Sequence, residues 1–155
     1  MRKKIVILLC MLLVAFSAVA MAAAKDESAD TDWVAIDLGH DNNDTYYFNK
    51  ATMHYDKDKD GNINKQIVVY EEKMVNRNTN VLTDGFYSIT QCKINLTEPA
   101  LLLGEETFYK KSGEERWVQK PLYLVWYPIK PNTVGESRYN AVAVYVQQHP
   151  ILSEE

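Results

Sequence analysis

The chain has 155 residues, 46% of them hydrophobic and 25% charged, with 17 Lys and Arg against 21 Asp and Glu. That size suits one globular domain and leaves no room for two sizeable cores. A formal net charge of −4 argues against nucleic acid, which needs clustered basic residues on its phosphates, and 6 Gly with 5 Pro are too few for a collagen-like or low-complexity chain.

The amino terminus reads Arg2-Lys-Lys4, then the apolar run Ile5 to Phe16, then the small-residue run Ser17 to Ala24. A basic start, an apolar middle and small residues at the end make residues 1–24 a signal peptide, so the chain is expected to be exported to the periplasm, the cell surface or the medium. Cleavage fits after Ala20, Ala22 or Ala24; Ala24 is favoured, with Lys25 as the mature start. Ile5 to Ala24 is almost long enough to span a bilayer, but no basic stop-transfer flank follows. Cys10 sits inside the run, whereas a lipid-attachment cysteine follows a small residue at the run's end. No stable membrane anchor is therefore expected after cleavage. Removing the signal leaves 131 residues, takes the net charge to −7 and leaves Cys92 as the single cysteine. One cysteine cannot form an internal disulfide, even in an oxidising compartment. The alternation around Cys92 predicts a buried small hydrophobe.

Residues 25–32 are polar and read as a short disordered leader to a domain over 33–149, with 150–155 as a tail. Trp33 to Leu38 is a first predicted strand, ending at Gly39 and a polar turn. Thr45 to Tyr55 and Ile63 to Val75 are the next two, joined by Asp56-Lys-Asp-Lys-Asp-Gly-Asn62. In the third strand Val68, Tyr70 and Glu72 face away from Ile67, Val69 and Glu71. After a polar crossing, Phe86 to Leu96 places Ser88, Thr90, Cys92 and Ile94 opposite Tyr87, Ile89, Gln91 and Lys93. Ala100 to Tyr109 and Arg116 to Val118 form a hairpin, and Pro121 starts a dense strand, Leu122 to Tyr127, bounded by Pro128 and Pro131. Thr133-Val-Gly-Glu136 has capping-box spacing. Behind it Val134, Arg138, Ala141, Val142, Tyr145, Val146 and His149 share one helical face, and Pro150 ends the run; Val142, Val144 and Val146 also fit a strand, and the helix is favoured. The expected class is α+β: a small antiparallel sheet of about six strands with a C-terminal helix packed on one face.

The most specific local motif is Asp56-Lys-Asp58-Lys-Asp60-Gly61-Asn62-Ile63-Asn64, which matches the first nine positions of an EF-hand loop. Position twelve is Ile67, so the bidentate carboxylate that closes the calcium shell is missing, and the flanks read as strands. A hairpin loop is favoured, with Asp56, Asp58 and Asp60 as weak metal candidates and calcium as the one cofactor left open. His40, His54 and His149 are far apart in sequence, and no hydrolase, nucleotide or dinucleotide motif occurs, so no catalytic residues are assigned and the chain is expected not to be an enzyme. Ten Tyr and three Trp all lie in the mature chain. Tyr46-Tyr-Phe48 and Tyr123 to Tyr127 should send aromatics to both sheet faces, one of which could bind protein. Cross-strand pairs that merely stabilise the sheet are the alternative.

Thr45-Tyr-Tyr-Phe-Asn49, Gln66-Ile-Val-Val-Tyr70, Tyr87-Ser-Ile-Thr-Gln-Cys-Lys93 and Pro131-Asn-Thr133 leading to Arg138-Tyr-Asn-Ala141 together resemble the surface-adhesin protein E family of small exported bacterial proteins. The resemblance implies a small antiparallel sheet with a C-terminal helix against it, and an envelope or surface location. It also implies a protein partner, a host extracellular-matrix or serum protein such as laminin, vitronectin or plasminogen; a homodimer is left open. A member of that family pairs a mid-chain cysteine with one in the helix. Cys92 matches the first, and Val146 stands at the second. No partner-binding residue is carried over from the resemblance. The rival reading is a calcium-stabilised structural envelope protein built on the Asp56–Asn64 loop.

Overall fold

The computed structural model describes residues 32–39, 44–76 and 86–151. The expected signal peptide, the expected leader before Asp32, residues 40–43, residues 77–85 and residues 152–155 of the expected tail lie outside the described residues. Eight strands form one antiparallel sheet: β1 (Trp33–Ile36), β2 (Asp44–Asn49), β3 (His54–Lys57), β4 (Ile63–Asn76), β5 (Phe86–Asn95), β6 (Ala100–Lys110), β7 (Glu115–Gln119) and β8 (Trp126–Pro128). Helix α1 (Val134–Gln148) follows them. The order across the sheet is β1-β2-β4-β5-β6-β7, with β3 beside the first half of β4 and β8 beside the first half of β6. The α+β class with a C-terminal helix is thus what the chain adopts, with eight strands where about six were expected.

Alternation chooses the core face. Val68 and Tyr70 of β4, Cys92 and Ile94 of β5, Phe48 of β2 and Leu101 of β6 are buried together, and Val142 and Val146 of α1 close over them. The polar-looking set Ser88, Thr90 and Glu72 is buried on that same face, because cross-strand pairing puts Ser88 beside Phe108, and Thr90 beside both Glu72 and Glu106. The helix is fixed at its start by Thr133, whose hydroxyl accepts from the Glu136 N–H at 3.2 Å. The return bond of the expected capping box goes one residue further back: the Glu136 carboxylate accepts from the N–H of Asn132 at 2.7 Å. Asn132 takes the left-handed conformation there, with φ of 58°, which Asn tolerates better than most residues. At the far end His149 stacks on Tyr145 with centroids 4.4 Å apart, and Tyr145 meets Phe48 edge-on at 5.2 Å. Beyond it, Ile151 packs against the core.

Two predicted strands are corrected. Thr45 to Tyr55 is broken by a 3-10 turn at Lys50–Thr52, where the Asn49 side chain accepts from the Ala51 N–H and ends the ladder. Leu122 to Tyr127 is a strand only from Trp126 onward. Leu122 is 92% exposed and Tyr123 82%, so β-propensity without a neighbouring strand to pair with made no ladder there.

Candidate functional site

The site grows from an interruption in one ladder. On its outer side β6 pairs with β7 at Glu106–Tyr109 and with β8 at Ala100–Leu102, and Leu103, Gly104 and Glu105 between them face no strand. On its inner side the β5–β6 register shifts at the same place, between Thr90 and Cys92. Gly104 allows the close approach, since a Cβ there would stand 3.0 Å from the Gln91 carbonyl oxygen. The extra residue resets the alternation, so Leu101 and Leu103 opposite Ile94 and Cys92, and Glu106 opposite Thr90, all fall on the core face. The connection from β7 to β8 passes this gap and is tied to it by Lys120, which pairs with Glu105 at 2.9 Å.

Beside the gap is a cavity of about 280 Å³, lined by Glu72, Thr90 and Glu106 of the sheet, Arg138 of α1, and Tyr46, Tyr123 and Tyr127. Its inner wall is an ion pair. Arg138 donates from Nε to Glu72 at 2.8 Å and from a terminal nitrogen to the other carboxylate oxygen. The Glu72 side chain is 2% exposed and that of Arg138 13%. Burial pushes the Glu72 carboxyl above the usual range, and Arg138 only partly offsets it. Burial alone would lower the Arg138 value, but the Glu72 carboxylate outweighs it and holds the guanidinium charged. The Arg138 guanidinium also lies 5.2 Å from the ring centroid of Tyr46, whose hydroxyl burial pushes up. The Glu106 carboxylate forms no ion pair or side-chain hydrogen bond with the described residues.

A surface adjoins the cavity. Seven of the nine exposed large apolar side chains among the described residues lie between Trp117 and Tyr127. They are Trp117 and Val118 on the outermost strand β7, Leu122 to Val125 in the connection, and Tyr127 on β8. Trp117 is stacked on Phe108 at 4.6 Å, so that part of the patch is held by the sheet. A run of exposed apolar residues this dense in sequence exceeds the scattered single residues of an ordinary surface.

The acidic loop stands elsewhere. The Asp56 carboxylate is 2.7 Å from the Lys93 ammonium. Asp58 accepts from the N–H groups of Asp60 and Asn62 and from the Asn62 side chain, which holds its carboxyl below the usual value. Asp60 remains on the exposed tip, where Gly61 supplies the positive φ of the turn. Among the described residues no three His, Cys, Asp or Glu side chains converge. Cys92 is a free thiol with no exposure, in the same core cluster as Val146, and burial raises it well above the ordinary thiol value. His54 and His149 lie on different elements, and His40 is outside the described residues. Tyr46, Tyr123 and Tyr127, singled out in the sequence as aromatics, come together at the cavity. Glu72 and Glu106 carried no local signal. The signal for Arg138 was its place on the apolar face of the helix.

No family model and no curated protein matches the chain. A solved structure does: protein E from non-typeable Haemophilus influenzae, with a TM-score of 0.50 over 81% of this chain and 84% of that one, at 13% identity. The fold is protein E-like. At that identity the likeness extends to the fold and transfers no site residue. No helix among the described residues is long and apolar enough to cross a membrane.

Proposed function

We propose that the chain is an exported, non-enzymatic binding protein of the envelope or cell surface, which recognises a protein partner through the apolar segment Trp117–Tyr127. The observation that carries this reading is the concentration of exposed Trp, Tyr and Leu side chains in one segment at an open sheet edge. These side chains bring large contact area, and Trp and Tyr are the types that dominate binding hot spots. Strand β7 is exposed along its whole length and borders the sheet, so a partner strand could add to it by main-chain hydrogen bonds while the neighbouring side chains select the sequence. The protein E-like fold and the family resemblance of the sequence support an adhesin-like role, with a host matrix or serum protein as partner. Recognition of this kind needs shape and aromatic contact, without cofactor or covalent chemistry.

The test is binding of the protein to immobilised laminin, vitronectin and plasminogen, with the Leu122→Ser, Leu124→Ser double variant beside it. Saturable binding to at least one that the variant loses is expected. Absence of saturable binding to all three would sink the adhesin reading, and equal binding by the variant would remove the segment from it.

A further inference from the structure

Glu72 and Arg138 neutralise each other at the inner wall of the cavity, whereas Glu106 lines the same space with no cation to balance it. The cavity therefore carries one uncompensated negative charge. Partial enclosure strengthens that charge's reach relative to open water. An anion entering would meet Glu106 and the outer side of Glu72, with Arg138 already committed. A neutral ligand would leave Glu106 unpaired and less hydrated, which is costly. A cation gains on both counts. Tyr46, Tyr123 and Tyr127 add ring faces and hydroxyls around the same volume, and aromatic faces attract guanidinium and ammonium groups. At about 280 Å³ the space lies at the small end for ligand pockets, and fits a head group with a short stem better than a cofactor.

We propose that this cavity is a receptor for a single alkylguanidinium or alkylammonium group, held by Glu106 and flanked by Tyr123 and Tyr127. The chemistry is that of an Arg or Lys side chain, or of a free amine of the same shape. The inference goes beyond the partner reading and stands without it. Tyr123 and Tyr127 belong to both the cavity and the exposed segment, so a polypeptide docking on the segment would have the cavity within reach of a basic side chain.

The experiment titrates the protein with N-acetyl-argininamide, agmatine and the neutral N-acetyl-norleucinamide, following the aromatic NMR signals of Tyr46, Tyr123 and Tyr127. Saturable shifts with dissociation constants in the millimolar range are expected for the cations, weakened about three- to tenfold by Glu106→Gln. The Glu106→Lys variant, which supplies its own ammonium group, is expected to bind none. Because the Glu106 carboxylate makes no ion pair or side-chain hydrogen bond among the described residues, both variants should keep the wild-type melting temperature, which is measured alongside. Preference for N-acetyl-argininamide assigns the cavity to a polypeptide side chain, and preference for agmatine to a free amine. Absence of saturable shifts with both cations, equal binding of the norleucine compound, or indifference to Glu106→Gln would overturn the proposal.

Discussion

Replacing Arg138 by Met should be the most damaging single change at the cavity, and its cost should depend on pH in a defined direction. The substitution removes both hydrogen bonds to Glu72 and leaves a carboxylate that is 2% exposed without its counter-ion. Breaking a buried pair this way costs about 3–5 kcal/mol. The carboxylate has one escape, which is to take a proton. From a usual value of 4.5, protonation at pH 7 costs roughly 3–4 kcal/mol at about 1.4 kcal/mol per pH unit, so the penalty should settle near that figure. In the variant the folded-state value of Glu72 lies well above the unfolded one. Stability from that group is then fully present below pH 4.5 and lost as pH rises towards the folded value. The gap between variant and wild type should accordingly narrow between pH 7 and pH 5, by at most roughly 2–3 kcal/mol, because the raised Glu72 of the wild type changes in the same direction. The Glu72→Leu, Arg138→Met double variant, which removes both charges, should return to within about 1–2 kcal/mol of wild type or exceed it. Urea unfolding followed by tryptophan fluorescence measures all three, the single variant unfolding roughly 1–3 M earlier at neutral pH. A single-variant cost below about 1 kcal/mol, a cost that does not change with pH, or a double variant as unstable as the two singles combined would refute the reasoning.

Cys92 should resist a thiol reagent in the native protein and react fully in denaturant, since burial removes both access and thiolate; rapid native labelling would contradict its place in the core. Asp58→Ala should speed amide exchange at Asp60 and Asn62 without altering the rest of the sheet. The same two amides in the wild type should lose protection only as pH falls through the lowered value of Asp58, and unchanged exchange in the variant would show that the carboxylate does not hold the loop. Calcium at millimolar concentration should leave the melting temperature unchanged, because Asp56 is engaged with Lys93 and Asp58 with its own loop; a clear rise would revive the structural calcium site. Leu122→Ser with Leu124→Ser should shift stability by no more than about 0.5 kcal/mol, given 92% and 64% exposure, and a larger loss would mean that the segment packs on something it does not touch here.

Period-two patterning located β4 and β5 nearly to the residue, and assigned their faces correctly even where the buried face reads Ser88, Thr90, Cys92 and Glu72. The helix was legible from its capping signal and helical spacing, which prevailed over the alternating Val142, Val144 and Val146, and Val142 and Val146 are its buried residues. The failures came where pattern and partner part company. Leu122 to Val125 has the composition of a core strand, but only pairing makes a strand, and pairing is decided by β6 and its irregular register at Gly104. The break at Asn49 was written in a residue that prefers to bond its own backbone, a signal masked by the β-rich residues on both sides. Glu72 and Arg138 lie 66 positions apart, and neither neighbourhood names the other. Their meeting follows from the helix crossing the sheet, as does the cavity they line.

The strand order has a consequence for how the chain comes into being. Apart from β8, each strand lies beside one that neighbours it in sequence, so hairpins can form as soon as both of their strands have emerged. Val142 and Val146 cannot arrive until all eight strands have emerged, and they complete the core cluster around Val68, Cys92 and Ile94. Until then the growing sheet presents its apolar face to water with nothing over it. The interval between the appearance of β8 and the docking of the helix is therefore the period in which the nascent protein is most exposed to aggregation, and in which a chaperone has most to bind.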